Sequence, residues 1–230
     1  MSAQVIALCL LVPSLVLAHS GGHHRSALDK GEFQDFPAMC VGPGGEAVVA
    51  YMDRPSDAAP RLIVAVDHHG ELEPVATVED PAMSAFDSPS LVATANGYLL
   101  VYSVEVNGAW KVGCLPFVND QPVRKPVYFG QDNAINVRPA VARSGESFCI
   151  VWESNAHNTR QIFGCVVHNG TVSPPRALSP EGVAAHNPAV TAAGPENQFF
   201  VASTVGNSPG ERLENSSASV ATRALSALSV

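Results

Sequence analysis

The chain repeats itself, and the repeat limits its fold more than any single motif does. Pro37, Pro89, Pro139 and Pro188 open the segments PAMC, PSLV, PAVA and PAVT, at spacings of 52, 50 and 49 residues. Glycine-bearing or polar turns follow, GPGGE, ATANG, RSGES and AAGPEN, and then the apolar runs AVVAY, YLLVY, FCIVW and FFVAS. The first three runs close on Tyr51, Tyr102 and Trp152. A third run reads RLIVAV, WKVGCLPFV and RQIFGCVV, and a fourth, shorter one reads EPVATV, PVRKPVYF and PPRALS. In the last unit the third run is expected near the polar residues 210–214, and Arg223 to Ser226 repeat the RALS of the fourth run.

Short β-forming runs separated by turn residues, four to a unit and about fifty residues per unit, are the pattern of β-propeller blades. The fold class is therefore all-β, a propeller-type repeat of about four blades, either closed or part of a larger ring. The expected divisions are a signal peptide over 1–18, a His- and Gly-containing leader over 19–35, and blades over 36–87, 88–137, 138–186 and a degenerate 187–230. The proline suits the first residue of an inner strand, because it gives no N–H to a ladder. The small residues after it, Ala38, Ser90, Ala140 and Ala189, suit the crowding where inner strands converge.

With its proline, small residue, glycine turn and closing aromatic, the unit resembles the blades of secreted bacterial-type propellers in the broad sialidase-like and TolB-like group. The Asp-box S-x-D-x-G-x-x-W is missing from every unit, and a sialidase's arginine triad and tyrosine–acid pair have no residue-by-residue counterpart. What the resemblance implies is a fold, and not catalysis.

The first twenty residues, MSAQVIALCLLVPSLVLAHS, carry an uncharged apolar run from Val5 to Leu17 and a small-residue site at Ala18. The run is shorter than the ~20 residues that cross a bilayer, so a secretory signal is expected, with a secreted or periplasmic location and no membrane span. A net charge of −8 excludes a phosphate-backbone partner, because nucleic-acid binders need a basic face. Four cysteines follow the signal, Cys40, Cys114, Cys149 and Cys165. They fit either disulfides, with three pairings open, or small buried apolar residues.

Propeller geometry divides the loops between two faces. One carries short turns rich in Gly, Asn and Asp, as in HHGE, VNDQ and HNGT, chosen for backbone reasons. The other, the connector face, joins second to third strands and blade to blade. It holds Asp53, Arg54, Asp57, Asp80, Asp87, Glu105, Asn107, Gln131, Asp132, Asn133, Asn136, Arg138, Glu153, Asn155, His157, Asn158, Arg160, His186 and Asn187. A specific ligand is expected there, with Arg138, Glu153, Asp53, Glu105, Asp132, His157 and Arg160 as candidate binding residues. Arg138 precedes the inner-strand proline where the other units have Phe36, Ser88 and Asn187. Its guanidinium either grips a ligand carboxylate or pairs with Asp132 or Glu153 to hold a loop.

No nucleophile elbow, zinc-protease motif or phosphate- or dinucleotide-binding glycine loop occurs, so no cofactor is expected. The reading leans to a non-catalytic module that binds an extracellular or periplasmic protein or glycan. The alternative is a sialidase-like glycan hydrolase or a degenerate relative, with Asp53, Glu105 and Glu153 as the first acids to test. A third reading is metal handling by His19, His23 and His24, weighed against a plain flexible leader. A homo-oligomer completing the ring is a further partner expectation. Asn169 and Asn215 match the glycosylation sequon.

Overall fold

The computed structural model describes residues 33–55, 58–79, 83–193, 198–206 and 219–225. They form four antiparallel sheets, one per sequence unit. The first runs in the order β1 (Phe33–Val41), β2 (Ala47–Arg54), β3 (Arg61–His68), β4 (Glu71–Val78). The second has β5 (Met83–Ala93), β6 (Gly97–Val106), β7 (Ala109–Val118) and an outer strand broken into β8 (Gln121–Pro122) and β9 (Val127–Phe129). In the third, β10 (Asn136–Ser144), β11 (Ser147–Ser154) and β12 (Gln161–His168) meet a similarly broken edge, β13 (Thr171–Val172) and β14 (Arg176–Ala177). The fourth contains β15 (Ala184–Ala192), β16 (Phe199–Gly206) and β17 (Ser219–Leu225).

The expected β-propeller repeat is what the chain forms. Two details of the fourth unit differ from the sequence reading. Its third strand is β17, with Arg223 opposite Val201, so Arg223 to Leu225 occupy the third-strand and not the fourth-strand position. Residues 210–214, where that strand was expected, lie outside the described residues, as do the leader histidines His19, His23 and His24, and also Asp57, Asp80 and Asn215.

The core lies between blades. Met52, Leu62 and Val64 of the first blade pack with Phe86, Tyr102 and Phe117 of the second. Val101, Val112 and Phe129 of the second pack with Ile150, Trp152 and Phe163 of the third. Cys149, Val151 and Ile162 of the third meet Phe199 and Val201 of the fourth. A second strand is thus covered on both faces, which is why β6 is buried from Gly97 to Val104 and loses the alternation of a half-exposed strand. The strand-closing aromatics fill these seams: Trp152 sits 6.2 Å from Phe129 and 6.4 Å from Phe163, centroid to centroid, and Tyr102 lies 5.9 Å from Phe86.

Inner strands neighbour one another in chain order, β1 against β5, β5 against β10 and β10 against β15. Among the described residues β15 and β1 share no comparable packing. Each inner strand carries the same irregularity. Its register shifts between Asp35 and Ala38, Asp87 and Ser90, Val137 and Ala140, and His186 and Ala189. The residue before each proline, Phe36, Ser88, Arg138 and Asn187, has a left-handed backbone with φ of 53°, 44°, 53° and 51°. The prolines therefore sit inside the strands, at bulges, and not at their first residues. A bulge is the other place where a missing N–H does no harm.

The two-residue turns at His69-Gly70, Asn119-Asp120 and Asn169-Gly170 have positive φ at both positions, as a tight hairpin matched to strand twist requires. Asn107-Gly108 does the same on the connector face, where it joins β6 to β7 by a tight hairpin.

Among the described residues all four cysteines are free thiols, and Cys114, Cys149 and Cys165 are buried. Burial pushes Cys114 and Cys149 up to about 12 and, with a smaller contribution from Glu46, Cys40 to about 11. They stay protonated through neutral pH, and only the thiolate reacts. Cys114, Cys149 and Cys165 are expected to resist a thiol-specific disulfide reagent at pH 8 in the native protein and to react fully in denaturant, as absorbance at the released thiolate would record. Ser88→Val should cost about 1–3 kcal/mol through a β-branched side chain at positive φ, and Ser88→Gly should cost less. Urea unfolding measures both.

Candidate functional site

In the third and fourth blades the left-handed bulge turns a backbone N–H toward the preceding blade, where a residue at one repeated position of the second strand meets it. That position, paired by register with the residue two before each inner-strand proline, is Met52, Ser103, Glu153 and Thr204 in the four blades, while Tyr51, Tyr102, Trp152 and Ser203 lie opposite the bulges themselves. Ser103 Oγ accepts the N–H of Arg138 at 3.0 Å, and Glu153 Oε1 accepts that of Asn187 at 2.7 Å. The thioether of Met52 is at best a weak acceptor.

Glu153 does more than Ser103, because it brings a charge. Its side chain is fully buried, yet four groups converge on its carboxylate. Arg138 Nη1 donates to Oε1 at 3.3 Å, while Arg160 Nη1 stands 3.3 Å and His186 Nδ1 3.9 Å from Oε2. Neither contact with Oε2 is a hydrogen bond, so that oxygen faces the Arg160 guanidinium as an ion pair only. Arg138 and Arg160 keep half and two-fifths of their side chains exposed, at 50% and 40%. Arg138 Nη1 also donates to Asn187 Oδ1 at 3.4 Å, and Asn187 Nδ2 donates to Thr204 Oγ1 at 3.2 Å. The bulges of the third and fourth blades, the end of β11 and the loop before β12 thus meet in one cluster.

Beside it, Asn136 is a buried structural amide. Its Nδ2 donates to the carbonyls of Trp110, Ala134 and Gln131, and its Oδ1 accepts the indole N–H of Trp152 at 3.2 Å. A Cβ on Gly130, at φ 103°, would fall 2.3 Å from the Asn136 amide carbon. Gln161 Nε2 ties β12 to the carbonyls of Ser179 and Pro180, and its Oε1 pairs with His157 Nδ1 at 2.9 Å.

The remaining candidates lie apart from the cluster. Asp53 is buried and takes two bonds from Arg61 on one oxygen, at 2.7 Å and 2.6 Å. It follows Met52, so alternation turns it to the opposite sheet face from that repeated position. Glu105 accepts from Ser84 Oγ at 2.6 Å. Asp132 binds Lys111, whose ammonium lowers its carboxyl below the usual range. Arg138 therefore pairs with Glu153, and Asp132 is taken by a different cation. Among the described residues no group of three potential metal ligands occurs.

Arg138, Glu153 and Arg160 stand out in the sequence, whereas Asn136, placed on the connector face, is buried, and Ser103, Lys111 and Gln161 are not among the residues the sequence singles out. Ser103 was reachable by counting, because it stands in the same place as Glu153 in the preceding unit. Lys111 and Gln161 had no such signal.

No protein-family model matches the sequence, and no curated protein resembles it in sequence. Solved structures do share its fold. A thermostable family-43 glycoside hydrolase aligns with a TM-score of 0.52 at 14% identity, over 84% of this chain and 76% of the other. A protein of unknown function from Dyadobacter fermentans gives 0.54 at 11% identity, over 84% and 61%. An endo-arabinase from Bacteroides thetaiotaomicron gives 0.51 at 11% identity, over 85% and 76%. At these identities the likeness is one of fold.

Glu153→Gln keeps the shape but sets an amide NH2 against two guanidinium groups and weakens the acceptor for Asn187. It is expected to cost about 1–3 kcal/mol in urea unfolding. Asn136→Ala, which orphans the Trp152 indole N–H and frees three carbonyls, should cost at least as much and blue-shift or broaden tryptophan emission.

Proposed function

We propose that this chain is a secreted or periplasmic, non-catalytic binding module that captures a protein or glycan on its connector face, through an anionic group held by Arg138 and Arg160. The supporting observation is a charge imbalance: one buried carboxylate, Glu153, faces two half-exposed guanidinium groups in a chain of net charge −8. Each arginine offers five N–H donors in a fixed fork and commits Nη1 to Glu153, so the outward edges remain able to grip a carboxylate or similar oxyanion. Glu153 is the positioning group. It holds both forks from beneath and, with no exposed surface, is shielded from the ligand.

A glycan hydrolase is the rival reading, favoured by the fold that the chain shares with glycoside hydrolases. Such chemistry needs two carboxyls facing one bond. Here Glu153 is enclosed by its cations, Asp53 is tied to Arg61, and Glu105 accepts from Ser84.

Arrays of uronate-bearing and neutral glycans and of acidic and neutral polypeptides, followed by calorimetry on the best ligand, test the proposal. Anionic ligands should dominate, bind more weakly as salt rises, and lose at least tenfold in affinity with Arg138→Ala or Arg160→Ala while the protein stays folded. Ligands indifferent to both substitutions would refute the site. Turnover of a chromogenic glycoside panel that disappears with Glu153→Gln would replace the proposal with the hydrolase.

A further inference from the structure

A groove on the outer rim, between the first and second blades, has a build unlike the connector face. Its cavity of about 330 Å³ is bounded by Ala76, Thr77 and Val78 of β4 on one side and by Leu115 and Phe117 of β7 on the other. Val78, Met83, Leu115 and Phe117 form a buried apolar floor. The groove exists because the outer strand of the second blade is interrupted: β8 ends at Pro122 and β9 begins only at Val127. The intervening arch, PVRKP, has a proline at each end that cannot donate to a ladder. It is pinned at one point, by the N–H of Val123 on the carbonyl of Pro116 at 3.1 Å.

That arch sets Arg124 and Lys125 side by side on the rim, both exposed. The chain has only 13 Lys and Arg residues against 21 acids. Among the described residues the ion pairs involve Arg54, Arg61, Lys111, Arg138, Arg143, Arg160 and His186, and neither of these two. Glu79 also lines the cavity, so its walls carry a net charge of one positive unit.

We propose that this groove is a second binding site, specific for a compact apolar carboxylate: a short aryl or alkyl acid whose hydrocarbon body lies on Leu115, Phe117 and Val78 while its anion meets Arg124 and Lys125. The volume lies at the small end of the range for ligand pockets, ~300–1,000 Å³, which suits a small molecule. The two cations supply the discrimination, since an apolar floor alone accepts a neutral analogue equally well.

Calorimetry on the full chain with 4-phenylbutyrate, and with 4-phenylbutanol as its uncharged counterpart, tests this. The acid should bind saturably and at least tenfold more tightly than the alcohol. Arg124→Ala with Lys125→Ala should remove that preference and leave alcohol binding unchanged. Thr77→Trp, which fills the cavity from an exposed position, should block both ligands, while Arg138→Ala should affect neither. The proposal is overturned if the acid gives no saturable heat, if the alcohol binds as tightly, or if binding survives Thr77→Trp.

Discussion

The architecture depends on a backbone irregularity repeated four times: a residue forced to positive φ directly before a proline, in the middle of each inner strand. For Phe36, Ser88 and Arg138 that conformation is unfavourable by about 1–2 kcal/mol, and the following proline disfavours helical backbone further. Asn187 tolerates it best. The displaced N–H can then reach across to the neighbouring blade. Where the preceding blade offers Ser103 Oγ or Glu153 Oε1, the strain is offset by a hydrogen bond that also sets the angle between blades. Each blade is thus joined to the next by apolar packing along the seam and, at these two junctions, by a polar bond at the inner end.

Glu153 shows how a structural position acquires chemical character. A buried carboxylate is costly unless paired. This one is enclosed by a backbone N–H and two guanidinium groups whose outer edges stay in water, which limits the desolvation that the ion pairs require. Ser103 closes the same kind of junction with a neutral hydroxyl and gathers no arginine. At the one copy of this position that carries a carboxylate and has Arg138 and Arg160 nearby, a cationic cluster forms on one sector of the connector face.

The fold is shared with glycoside hydrolases at identities of 11–14%, low enough that what is held in common is the fold. Activity depends on a few side chains placed on such a scaffold. In this chain the acids that sequence reasoning would test first are each committed to a neighbour: Asp53 to Arg61, Glu105 to Ser84 and Glu153 to its cluster.

Much of the fold was legible because the repeat reports packing that recurs. A second strand covered on both faces must be continuously apolar, and Tyr102 and Trp152 fill seams between blades, so β6 and β11 stand out as YLLVY and FCIVW, and β2 repeats the pattern as AVVAY. The fourth unit was read less well, because β17 is marked by its pairing with β16 and not by an apolar run. Arg138 and Glu153 were visible as departures from the repeat, and the sequence left open whether Arg138 faced Glu153, Asp132 or a ligand. By itself the sequence determined the four-unit repeat and the order of the first three strands in each of its first three units, since local pattern and turn chemistry are written residue by residue. Only the tertiary structure decided the partners, because Arg160, His186 and Asn187 reach the Glu153 carboxylate through a bulge register and a blade-to-blade angle that no linear spacing encodes.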